Sequence, residues 1–65
     1  MTAKQFRAAL EHLGLSQAQV SRILGVKDRS VRRWAVDGPR GTSAILMRLW
    51  ADGKITAEDI EARRD

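Results

Sequence analysis

Gln17-Ala18-Gln19-Val20-Ser21-Arg22-Ile23-Leu24-Gly25-Val26-Lys27-Asp28-Arg29-Ser30-Val31-Arg32-Arg33-Trp34 is the stretch of the 65-residue chain on which the fold turns. Val20, Ile23 and Leu24 recur at helical spacing in its first half, and Val31, Trp34 and the following Ala35 do so in its second. Ser16, with Gln19 three residues on, is a capping box that opens the first of these helices. Gly25 stands between them, and a residue without a Cβ takes the left-handed conformation that a tight inter-helix turn needs. The stretch therefore reads as two short amphipathic helices joined by a turn, spanning about residues 16–36.

The second helix divides into two faces of different chemistry. At about 100° per residue, Val31, Trp34 and Ala35 gather on one arc, while Arg29, Arg32, Arg33 and Val36 share the opposite one. Burying the first arc leaves three guanidinium groups side by side, where like charges repel. A phosphate-bearing polymer relieves that repulsion, and the guanidinium fork matches O6 and N7 of guanine. A charged face taken alone also reads as ordinary solvated surface. The preceding capped helix and the short turn favour the nucleic-acid reading.

Working outward, glycines and one proline punctuate the rest. Thr2 and Gln5 cap a first helix with Phe6, Ala9, Leu10 and Leu13 on one face, and Gly14 stops it. Beyond Gly38-Pro39-Arg40-Gly41, a helix from Thr42 or Ser43 carries Ile45, Leu46, Leu49 and Trp50 up to Gly53. Thr56 and Asp59 cap a short last helix with Ile60 as its apolar anchor. No stretch alternates like a strand. The expected architecture is all-α: one domain over residues 1–65, with five short helices around one core. That core is drawn from Phe6, Leu10, Leu13, Leu15, Val20, Ile23, Leu24, Val26, Val31, Trp34, Ile45, Leu46 and Leu49.

Charge supports a polyanionic partner. The net charge is +4, and its distribution is uneven: residues 1–51 hold nine Lys/Arg against three Asp/Glu, whereas residues 52–65 hold three against five. There is no cysteine, hence no disulfide and no thiolate ligand. His12 is the only histidine, and no serine has a histidine–acid partner for nucleophilic chemistry. No Gly-rich loop followed by Lys-Ser/Thr is present for a nucleotide. The expectation is thus a non-enzymatic protein with no metal, cofactor or small-molecule ligand. No apolar run approaches a membrane span, and the N-terminus lacks the apolar core of a signal peptide, so a cytoplasmic location at the nucleoid is expected.

The quoted stretch resembles the helix-turn-helix of Cro/CI-type (XRE-like) phage and prophage regulators. Gln17 matches the glutamine that opens the motif, Ser21 the small residue at the helix crossing (usually alanine in the family), and Gly25 the turn glycine. Val26, Val31 and Trp34 match its apolar anchors. The resemblance is strong over the motif and looser over the five-helix plan of residues 1–63. It implies a lambda-repressor-like fold and a sequence-specific DNA-binding regulator, a repressor or autorepressor of a small operon, that binds an inverted-repeat operator as a homodimer.

The resemblance also places base contacts at Lys27, Asp28, Arg29, Arg32 and Arg33, three of which the wheel selects independently. Asp28 has two readings: an acceptor for cytosine N4, or a cap on its own helix, with the cap favoured. Gln17 matches a phosphate-contacting position at a helix N-terminus. Arg40, with Thr42 and Ser43, forms either a second phosphate clamp or an ordinary glycine-rich connection, and Arg22 either adds a contact or solvates its helix. Trp34 and Trp50 read as core residues. Trp50, partly exposed, joins Leu49, Ile55 and Ile60 as a dimer surface. Two further readings stand beside this one: an antitoxin or adaptor that binds protein, supported by the acidic last helix, and the DNA-binding part of a transposase or recombinase.

Overall fold

Three of the five helices begin at capping boxes, and these local signals hold in full. In a computed structural model of the chain, which describes residues 1–64, the order is α1 (Ala3–Leu13), α2 (Gln17–Leu24), α3 (Asp28–Asp37), α4 (Thr42–Ala51) and α5 (Ala57–Arg63). Thr2 and Gln5, Ser16 and Gln19, and Thr56 and Asp59 each exchange side-chain and backbone hydrogen bonds at the starts of α1, α2 and α5. Each box satisfies two amides that the first helical turn leaves without partners. Gly25 ends α2 in the left-handed region, at φ 71°. Among the described residues there is no strand.

The apolar faces converge on one core: Phe6 and Leu10 from α1, Val20 from α2, Val31 and Ala35 from α3, Met47 and Trp50 from α4. α3 packs against both α1 and α2, α4 against α1, and α5 against α2. The Trp34 ring meets Phe6 edge to face, 5.9 Å between centroids, a favoured aromatic geometry. Trp34 remains half-buried.

Four of the expected core residues are not in it: Leu46 is half-buried outside the core cluster, and three are exposed. Val26, Ile45 and Leu49 are exposed, the last two at 60% and 40%, while Met47 and Trp50 occupy the interior. Val26 stands in the turn after α2, and for Ile45 and Leu49 the cause lies in α4. Its apolar stripe is wider than the arc α1 can cover, and the arc chosen is the one centred on Met47 and Trp50. Trp50, at 3% exposure, is a core residue and no part of a dimer surface.

Two long-range contacts hold the end of α3. Arg7 donates from Nη1 to the Ala35 carbonyl oxygen at 2.5 Å, which satisfies one of the carbonyls the last helical turn leaves open. Gly38 is buried against the N-terminal backbone. A Cβ there would lie 2.5 Å from the Met1 carbonyl oxygen and 2.9 Å from the Ala3 nitrogen, at a φ of +86°. No side chain fits at that crossing, and the chain then turns away through the buried Pro39.

Candidate nucleic-acid interface

The junction of α2 and α3 is locked by one residue. Ser21, 3% exposed, accepts on its carbonyl oxygen from the Gly25 and Val26 amides at 2.9 and 3.1 Å. Its hydroxyl donates to the Asp28 carboxylate, with the Ala18 carbonyl oxygen 2.8 Å away as a second acceptor. A buried hydroxyl needs such a partner, and a side chain this small lets the two helices approach closely.

This arrangement revises the reading of Asp28. The N-cap of α3 is Lys27, which makes no side-chain cap hydrogen bond, and Asp28 is the first helical residue. The Asp28 carboxylate reaches back across the turn to Ser21 rather than over its own helix end. It still sits in the first turn, where the helix dipole favours an anion, but as a tie between helices. Ser21 and Asp28 lie seven residues apart, and the need of a buried hydroxyl for a partner is the one sequence signal that links them.

Beyond the lock, α3 divides as the wheel requires. Val31 and Ala35 are buried, and Arg29, Arg32 and Arg33 are exposed. Arg29 and Arg33 border a recess of about 560 Å³ together with Ser30 and Trp34. Arg33 and Trp34 also border a second recess of about 290 Å³, completed by Asp37, Gly38 and Arg40. The fold therefore brings Arg29, Arg33 and Arg40 around the half-buried Trp34, and Arg32 stands outside both recesses. Arg33 makes an ion pair with Asp37 at 3.4 Å, a pairing the sequence reading did not draw although its i,i+4 spacing is visible.

The remaining candidates are spread more widely. Gln17 and Arg22 are exposed on α2, and Lys27 is exposed at the N-cap of α3. The α2 capping box engages the Ser16 and Gln19 amides and leaves those of Gln17 and Ala18 facing outward. The start of α4 has no side-chain cap. Thr42 there is exposed, but Ser43 is half-buried and lines a different feature.

That feature is an apolar cleft of about 710 Å³ between α2, α3, α4 and α5, walled by Leu24, Trp34, Leu46, Leu49, Ile55 and Ile60. Leu49, Ile55 and Ile60 thus do meet on one surface, without Trp50. Arg64 anchors the end of α5 beside it, donating to the Arg22 and Ile23 carbonyl oxygens at the end of α2. Among the described residues no helix is long and apolar enough to cross a membrane. The chain matches no protein-family model, no curated protein and no solved structure.

Proposed function

We propose that this protein is a sequence-specific double-stranded DNA-binding regulator with a lambda-repressor-like fold, in which α2 and α3 form a helix-turn-helix and α3 enters the major groove. The observation that carries this reading is the division of α3: Val31 and Ala35 are buried while Arg29, Arg32 and Arg33 are all exposed. Arginine forks offer bidentate contacts to guanine, and Lys27 stands at the helix start. Arg40, Arg22, Thr42 and the outward amides of Gln17 and Ala18 serve the phosphates, which set register and carry no sequence information. The protein acts as a repressor at the nucleoid, as a two-fold dimer on an inverted repeat. The dimer forms through Leu49, Ile55 and Ile60, together with the exposed Ile45 of α4.

Selection of bound duplexes from a random pool tests this reading. The expected result is an inverted repeat, bound with an affinity that falls steeply as salt rises, because each neutralised phosphate releases counterions. A protein that retains no duplex even at low ionic strength overturns it and leaves the adaptor reading, for which the apolar cleft and the acidic α5 speak.

A further inference from the structure

Asp37 is placed where neither helix stability nor affinity for a polyanion accounts for it. It is the last residue of α3, and no basic residue stands in that final turn. An anion at a helix C-terminus opposes the helix dipole. Its partner Arg33 lies four residues earlier, the weaker order for such a pair. The two side chains are 75% and 45% exposed, and a pair so solvated adds little to folding. Asp37 also borders the recess of Arg33, Trp34 and Arg40, and so sets a negative charge on the surface offered to phosphates. The other acid of α3, Asp28, is accounted for by Ser21. Asp37 has no such structural partner.

What Asp37 does have is Arg33. Among the described residues, Arg29 and Arg32 have no acid within ion-pair distance, whereas Arg33 Nη1 lies 3.4 Å from Asp37 Oδ2. A guanidinium has five N–H donors in a planar fork. Guanine takes two of them through O6 and N7, which leaves others for a carboxylate behind. Holding the fork from behind removes rotamer freedom that binding would otherwise have to remove. The same carboxylate repels a phosphate that approaches Arg33. Specificity rises when a contact to the wrong target is penalised as well as the right one rewarded.

We propose that Asp37 is a positioning residue for base reading: it holds the Arg33 guanidinium for a guanine edge and keeps it from serving as a phosphate contact. This rests on α3 being the DNA-reading helix. Asp37 lowers affinity for random duplex and raises discrimination in favour of the selected one.

The test measures dissociation constants for the selected duplex and for a random duplex of equal length. It uses the wild type, Asp37→Ala, Asp37→Glu, Arg33→Ala and the double variant Arg33→Ala/Asp37→Ala. Asp37→Ala is expected to bind random duplex tighter, while its preference for the selected duplex falls about twofold, the scale of an exposed i,i+4 ion pair. Asp37→Glu restores most of the preference, because its carboxylate still reaches Arg33. In the Arg33→Ala background, removing Asp37 leaves the preference unchanged. An Asp37→Ala variant that tightens both duplexes equally shows general repulsion alone and overturns the proposal. So does a large fall in its melting temperature, which marks a structural role. A wild type that binds no duplex overturns the reading of α3 itself, so the two failures are distinguishable.

Discussion

α3 and α4 each run ten residues and both contribute to the same core, yet they turn opposite chemistry outward. α3 buries Val31 and Ala35 and shows arginines to solvent. α4 buries Met47 and Trp50 and still shows Ile45 and Leu49. The outward face of α3 carries three exposed arginines with the 75% exposed Val36 among them, and its charge is solvated as it stands. The outward face of α4 keeps apolar area in water, at about 25 cal/mol per Å² relative to burial. One helix is therefore suited to a charged partner and the other to an apolar one, and the two faces can be perturbed separately.

The largest effect is expected within α4 itself. Met47→Ala removes a fully buried side chain and is expected to lower unfolding free energy by about 2–5 kcal/mol. A domain of this length holds roughly 3–10 kcal/mol in all, so such a loss brings it near unfolding. Ile45→Ala, two residues away and 60% exposed, is expected to change stability by less than about 0.5 kcal/mol. Urea unfolding of both variants at low protein concentration measures the contrast. Equal losses would mean that the outward face of α4 is no freer than its inward one.

Arg32→Ala carries the comparison to α3. On the selected duplex it is expected to weaken binding by about 1–3 kcal/mol, with a smaller loss on random DNA and an unchanged unfolding midpoint. Equal losses on both duplexes would make Arg32 a phosphate contact.

The same contrast explains how much was legible in the sequence. Capping boxes are read over three residues, so the starts of α1, α2 and α5 needed no tertiary knowledge. The arginine face was legible because the apolar stripe of α3 is narrow enough to fix the rotation of the helix. The stripe of α4, from Ile45 through Leu46, Met47, Leu49 and Trp50, is too wide for that. Its rotation is set by the surface of α1 on which it packs, so the assignment of Ile45 and Leu49 to the core and of Trp50 to a dimer contact failed there. Asp28 and Gly38 were opaque for a related reason. The roles of both depend on what the fold brings beside them: Ser21 across a turn, and the backbone of Met1–Ala3 from the far end of the chain.

The smallest effect concerns the three capping boxes, of which α5 alone carries a titratable member. Asp59 accepts from the Thr56 amide at 3.0 Å, and Arg63 lies 3.9 Å away. The Thr56 backbone hydrogen bond, then its side-chain hydrogen bond and the charge of Arg63, hold the carboxyl below its ordinary value of 3.8. A depressed carboxyl stabilises the fold in full above its unfolded value, and that contribution is lost as pH falls through the folded one. The start of α5 is therefore expected to loosen in acid, below about pH 4, while the corresponding boxes of α1 and α2, built on the neutral Gln5 and Gln19, stay closed. Backbone amide NMR signals of Thr56, Thr2 and Ser16 followed from pH 6 to 2 measure this directly. Because Asp59 is exposed, the change is expected to be small, and Asp59→Asn should flatten it. If the Thr2 and Ser16 signals shifted together with that of Thr56, acid would be acting on the whole fold. The wall of the apolar cleft formed by α5 would then not be separable from the helices that carry the arginines.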